Sequence, residues 1–325
     1  MFVHTVYTPP ILDDRMKLVL GGRYTRDDKE GVLYRVSNTP RDFRFELSES
    51  RFDPVATASY DLTPTVNVYA TYATGYRAGG ANSRSLTYTP FESEEVESRE
   101  LGLKALLMDR INLNLAVYDM DRTNTQIEFT LVAPDPITGN TRNTVETVNA
   151  PGTSKIRGVE FDVSGRLTQN LRASFAYAYT DTSVPPALNP FPATPNCPAC
   201  GTVQPVYIIY TPEHAASLSL DYTWPLSFAD LRLHLDGNFA TGTQSFEQSD
   251  QRTQDSLIFN ARASLADWQV APGQRITLSV WSRNLLNEDH MYRRSTEHRS
   301  GTNAIGDYAN FNEPRMFGAE ISLRY

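Results

Sequence analysis

The feature that most constrains this chain is an alternation of apolar and polar residues with period two. It recurs about a dozen times, and short and long connections take turns between the copies. The closing stretch, Glu313 to Tyr325, shows the unit. Ala319, Ile321, Leu323 and Tyr325 fall on one face and Glu320, Ser322 and Arg324 on the other, because successive side chains of a strand point oppositely. The same division sets Leu231, Leu233, Leu235 and Phe239 against Arg232, His234, Asp236 and Asn238, and Val159, Phe161 and Val163 against Glu160, Asp162 and Ser164. It predicts strands near 16–24, 51–62, 66–76, 99–108, 110–120, 156–167, 170–180, 211–223, 229–242, 253–268, 274–283 and 313–325.

The order of the connections then narrows the fold class. TPT, DR and TQ follow the second, fourth and sixth strands, with slightly longer turns near Pro225 and Pro272. The odd-numbered strands are followed by long stretches rich in Gly, Pro, Asn, Ser and charge, the ninth by a shorter one. In an antiparallel meander this puts every long loop at one end and every tight turn at the other, as in outer-membrane barrels, whereas Greek-key crossings would scatter the long connections over both ends. The carboxyl end falls on the tight-turn side. Lys17, Arg23, Glu100, Lys104, Arg172, Asp221 and Arg283 sit on the polar faces, too many charges for a small dry core and well suited to a wet lumen. Tyr24, Phe52, Tyr60, Tyr76, Tyr179, Tyr222, Trp224, Trp268 and Tyr325 lie towards strand ends, where an aromatic girdle would be.

Charge and composition exclude other classes. A net charge of -8 argues against a nucleic-acid partner, which requires a basic surface. No window approaches ~18 consecutive apolar residues, so a helical span is excluded, but transmembrane strands need only ~9–11 residues with one apolar face. The start, MFVHTVYTPPILDDRMK, shows no basic region followed by an apolar one, so no secretory signal is visible. Cys197 and Cys200 stand together in NCPACG without further ligands at zinc spacing and outside a βαβ setting. The expectation is a local disulfide in an exposed, Pro-rich loop of an oxidising compartment; the alternative is a pair of free thiols.

Several segments, in order and over nearly the whole chain, resemble the C-terminal half of the barrel of TonB-dependent outer-membrane receptors. They are NVYATYATGYRAGGAN (Asn67 to Asn82), ESRELGLKA (Glu97 to Ala105) leading into RINLNLAVYDMDRTNTQ (Arg110 to Gln126), NAPGTSKIRGVEFDVSGRL (Asn149 to Leu167), NLLNEDHMY (Asn284 to Tyr292) and the closing EPRMFGAEISLRY. The resemblance implies an all-β, antiparallel up-and-down transmembrane β-barrel, here about 12 strands of a barrel of about 22, with long external loops and short periplasmic turns. It implies active uptake of a scarce, bulky solute, a ferric siderophore above all, with lipid bilayer and lipopolysaccharide around the wall. Ile321, Leu323 and Tyr325 look like the terminal signal read by the barrel-assembly machinery. The coupling box and plug through which the TonB complex acts are not found. Residues 1–325 are therefore expected to form a single barrel region, the final part of a receptor, not competent to transport alone.

Candidate site residues are few. His4, His214, His234, His290 and His298 are scattered and no Ser or Cys motif accompanies them, so no enzyme is expected, and no cofactor is implied. The acidic run Glu92, Glu94, Glu95 and Glu97 lacks the spacing of a calcium loop and reads as a solvated rim; no metal site is expected. Tyr292, Arg293, Arg294, His298 and Arg299 form a basic, aromatic patch in the last long loop, a candidate contact for an anionic ligand, or for lipopolysaccharide phosphates or neighbouring acids. Two other readings stand beside the importer. One is a self-closed 12-strand passive pore, and the other is a soluble all-β binding protein whose apolar faces would point inward.

Overall fold

The period-two segments fold as one antiparallel sheet. The computed structural model describes residues 1–325 except 37, 38, 86, 135–138, 140, 196, 301 and 302; the side chains of 36, 133, 134, 141, 296–300 and 303–307 are likewise outside the description. In chain order the strands are β1 (Phe2–Tyr7), β2 (Met16–Val36), β3 (Thr39–Thr63), β4 (Val66–Arg77), β5 (Gly80–Ala81), β6 (Pro90–Phe91), β7 (Glu94–Leu107), β8 (Ile111–Thr123), β9 (Gln126–Pro134) and β10 (Thr141–Asn149). They continue with β11 (Thr153–Arg166), β12 (Leu171–Leu188), β13 (Val203–Val206), β14 (His214–Pro225), β15 (Asp230–Ala240), β16 (Ser256–Ala271), β17 (Gln274–Arg283), β18 (Met291–Ser300), β19 (Asn303–Phe311) and β20 (Met316–Arg324).

The main sheet runs β1-β2-β3-β4-β7-β8-β11-β12-β14-β15-β16-β17-β20, with β13 paired to β12 off this path. Each wall strand neighbours the next in sequence once the loop hairpins are set aside, which is the up-and-down meander that the connection pattern requires. All twelve expected strands are present. The chain adds β1, which pairs with β2 from Phe2↔Arg23 to Tyr7↔Leu18. The wall does not close: β1 and β20 are its two edges, and among the described residues neither has a partner on its other side.

Register decides which face is which. Leu101↔Val117↔Val159 and Leu233↔Ala263↔Val280↔Ala319 continue one apolar stripe from strand to strand. Val159 and Ala263 are half-buried by their neighbours, and the large side chains Leu101 and Val280 are 65% and 60% exposed, as is Ile321 at 76% further along β20. A soluble sandwich would bury them against a second sheet; here the stripes look outward, and the soluble alternative loses its basis.

The opposite face is polar and cross-linked. Tyr69 donates to Glu100 at 2.6 Å, Asn114 to Asp162 at 2.8 Å and Asn260 to Asp236 at 2.7 Å. Arg262 reaches Ser279 at 3.0 Å and Glu320 at 2.9 Å, and His234 stands between Asp221 at 2.8 Å and Asp236 at 3.3 Å. Such pairs, within a strand, between neighbours or, for Arg262 and Glu320, across β17, hold charge where water reaches it, at little cost.

Hydrophobic burial is concentrated elsewhere. The buried cluster joins Ile127, Phe129, Ala150, Ala187, Phe191, Cys200 and Val206, all from the long connections or the strand ends that carry them. Among the described residues the wall encloses no buried apolar cluster of its own; the packed core belongs to the loops.

Candidate ligand-binding vestibule

The long connections fold into hairpins that lean on one another. In β9, Ile127, Phe129 and Leu131 alternate with Glu128 and Thr130, and β10 pairs with it throughout, Val145↔Thr130 and Val148↔Ile127 among the pairs. Ile127 and Phe129 are 1% and 2% exposed and meet Phe191, Cys200 and Val206 of the connection between β12 and β14. The sulfurs of Cys197 and Cys200 are bonded at 1.96 Å. The Pro-rich loop around the bond is largely exposed, but Cys200 itself is fully buried and is a packing element of the loop core.

A polar clasp ties the connection between β15 and β16 to this hairpin. Glu128 N donates to the Glu247 carboxylate at 2.9 Å, Gln248 Nε2 donates to Glu128 O at 3.1 Å, and Tyr207 N donates to Glu247 O at 2.8 Å. Burial pushes the Glu247 carboxyl above its ordinary range, with the neighbouring Glu128 carboxylate adding to the shift against the opposing bond from Glu128 N and the charge of Arg122.

Together these segments enclose a cavity of 720 Å³ at the long-connection end. Its walls include Lys29, Arg77 and Arg122, balanced by Glu94, Glu128 and Glu247, and the rings of Phe91, Tyr207 and Phe246. Glu94 is buried, lies 3.7 Å from Arg77 and 3.8 Å from Arg122, and accepts from Gln126 N at 2.7 Å. Gln126 Nε2 in turn donates to Glu92 O at 2.9 Å, and Lys29 Nζ to Gly79 O at 2.8 Å. The site is concave, mixed in polarity and braced by hydrogen bonds, the character of a pocket for a bulky polar solute.

The residues singled out in the sequence fall around this cavity in an informative way. Arg293 lies with its guanidinium 5.6 Å from the Phe246 ring centre, and Arg294 N donates to Ser245 Oγ at 3.0 Å. Ser245 and Phe246 line the cavity, so the patch backs its wall. Tyr292 is exposed beside it. The side chains of His298 and Arg299 lie outside the described residues. In the acidic run Glu92 is exposed and Glu95 and Glu97, paired with Arg51 and Arg99, stay partly solvated, whereas Glu94 is buried and braces the cavity. His214 stacks on Tyr177 and Tyr179, and Tyr177 Oη lies 2.8 Å from its Nδ1. Ile321, Leu323 and Tyr325 are exposed on or just beyond the edge strand β20. Sequence reasoning missed Gln126, Phe246 and Glu247. The alternation in QIEFTL was the available signal for the first, and nothing local marks the other two.

Comparison with known proteins places the architecture. Residues 6–285 match the family model described as TonB dependent receptor-like, beta-barrel. The chain belongs to this family, whose members are Gram-negative outer-membrane proteins. It is 27% identical to the ferric-pyoverdine 358 receptor of Pseudomonas putida over 172 residues, covering 53% of this chain and 20% of that receptor. It is 24% identical over 323 residues to the ferric-pyoverdine M114 receptor PbuA of Pseudomonas sp. (strain M114), covering 97% of this chain and 35% of the receptor. The solved ferric yersiniabactin uptake receptor FyuA from Yersinia pestis shares the fold at a TM-score of 0.70 with 18% identity, over 96% of this chain and 43% of that one. The chain thus spans about a fifth to a third of the length of these curated relatives.

Proposed function

We propose that this chain forms wall strands and the external vestibule of an outer-membrane receptor for TonB-dependent uptake of a ferric siderophore. The carrying observation is the 720 Å³ cavity built wholly at the long-connection end of a wall whose other face is an exposed apolar stripe. The relatives' names, ferric-pyoverdine and ferric yersiniabactin receptors, supply the solute class. In this reading the apolar stripe meets lipid and the polar face lines the lumen. Ile321, Leu323 and Tyr325 present the assembly signal, and residues 1–325 act as one barrel region. The roles are binding and positioning: Phe246 and Tyr207 offer ring faces, Arg77 and Arg122 offer charge held in place by Glu94, and Arg293 and Arg294 support the wall behind. No residue is given a catalytic role.

Titrating the purified protein with a panel of ferric siderophores, read by intrinsic fluorescence, tests this. One chelate class is expected to bind, and Phe246→Ala to weaken it about tenfold or more, the scale of a lost aromatic contact. Absence of binding by every chelate, together with steady ion conductance in planar bilayers, would replace this reading with the passive pore.

A further inference from the structure

The charges around the vestibule cancel. Three cations line it, Lys29, Arg77 and Arg122, and with them three carboxylates, Glu94, Glu128 and Glu247. Each cation already has a partner. Lys29 Nζ donates to Gly79 O at 2.8 Å and Arg122 Nε to Thr125 Oγ1 at 3.4 Å. Glu94, its side chain 11% exposed, stands between the two guanidiniums, 3.7 Å from Arg77 and 3.8 Å from Arg122.

The cations all belong to β2, β4 and β8, the upper rim of the wall. The lining contributed by β9, β10 and the connections after β12 and β15 holds no cation among the described residues. It offers Glu128 and Thr147, directly opposite each other in the β9–β10 register, with Thr130 and Glu247. The basic patch of the last hairpin leaves this balance as it is. Neither Arg293 nor Arg294 lines the cavity, Arg293 being set against the Phe246 ring.

A ligand of high negative charge gains from Arg77 and Arg122 only by drawing them away from Glu94, and it then meets Glu128 and Glu247 as like charges, which costs affinity. An uncharged ligand has no ion pair to displace. It meets rings, aliphatic side chains and hydroxyls, Phe246, Tyr207, Ile208 and Thr130 among them. Chelates of ferric iron fall on both sides of this division. Three hydroxamates, each singly negative, neutralise the ferric ion, whereas three catecholates, each doubly negative, leave a trianion.

We propose that the vestibule takes an uncharged tris-hydroxamate chelate of ferric iron and turns away tris-catecholate trianions, with Glu94, Glu128 and Glu247 as the residues that set this preference. The preference rests on the vestibule taking a ferric siderophore at all, and it names the class.

Fluorescence titration of the purified protein at low salt tests it with two probes of like size, the ferric complexes of a cyclic tris-hydroxamate and of a cyclic tris-catecholate. The unaltered protein is expected to bind the hydroxamate complex about tenfold or more tighter. E94Q keeps an acceptor for Gln126 N and releases Arg77 and Arg122. E128Q removes charge from an exposed side chain, while the clasp to Glu247 and Gln248 uses only the backbone of Glu128. In each variant the ratio of catecholate to hydroxamate Kd should fall about tenfold. Catecholate binding by E94Q should also weaken as salt rises, a dependence that a merely structural role for Glu94 does not produce. Should E94Q fail to fold, judged by heat-modifiable gel migration, E128Q decides. Equal or tighter binding of the catecholate complex by the unaltered protein, or a ratio unchanged in both variants, overturns the preference and leaves the siderophore reading standing. Binding of neither complex, by the unaltered protein or by either variant, removes the siderophore reading and the preference with it.

Discussion

Truncating Phe129 tests whether the loop core is a unit apart from the wall. Its ring is 2% exposed within a cluster that meets the wall through Ala187 and the half-buried Val184, both at the far end of β12. A buried Phe→Ala change costs about 3–5 kcal/mol. The small loop cluster can collapse partly around the void, which favours the low end. At about 1.4 kcal/mol per decade, 3 kcal/mol makes local opening roughly a hundredfold more frequent. Hydrogen exchange read by mass spectrometry should therefore show the amides of 126–133 and 142–149 in Phe129→Ala exchanging about a hundredfold faster, with those of β14 and β15 unchanged. An acceleration below about threefold, or an equal one across β14 and β15, would refute the separation of loop core from wall.

Three further outcomes follow from the same structure. Replacing Cys197 and Cys200 by Ser removes the bond and places a hydroxyl at the fully buried position 200; faster exchange in β9 and β10 with unchanged gel migration of the barrel is expected. The Glu247 carboxyl is raised by burial, so as pH climbs past the ordinary glutamate range the opened chain ionises first and the clasp to Glu128 weakens until the folded carboxyl also titrates. Protection of the Glu128 amide, corrected for intrinsic exchange, should thus fall with rising pH across that window and be flat in Glu247→Gln. At Gly165 a Cβ would overlap the carbonyl oxygen of Arg110 and crowd Ile111 Cα at 2.8 Å, a backbone collision that no rotamer relieves. Gly165→Val should cost about 1–3 kcal/mol and lower the temperature of the heat-modifiable transition. The same change at Gly102 meets the swinging ring of Tyr69 and should cost less.

The wall was legible because period two is a local signal and every wall strand but one carries it. β1 escaped since its six residues place Val3 and Thr5 on one face and His4 and Val6 on the other, without a clean division. The loop hairpins were legible in part: Phe43, Phe45 and Leu47 alternate with Arg44, Glu46 and Ser48 in β3, and Ile127 with Glu128 in β9, yet their turn-rich flanks favoured a loop reading. The burial of Cys200 and the clasp of Glu247 on Glu128 are different in kind. They depend on contacts between segments far apart in the chain, which no window of sequence contains. The basic patch around Arg293 was found by composition, but its position behind Phe246 comes from the docking of one hairpin on another.

The hairpin of β2 and β3 continues from Tyr24↔Phe52 to Val36↔Thr39, with one register shift between Leu33 and Arg35, rising roughly 40 Å above the aromatic level at about 3.3 Å per residue. Its lower part is braced by Lys29 on Gly79 and by Phe45 against Tyr88. Backbone bonds between its own two strands carry the rest. That makes it a mast built from the two longest strands among the described residues, within reach of an antibody or a protease added to whole cells. Because main-chain pairing sustains the mast, its side chains are free to drift under immune selection while the strands rooted below stay as they are.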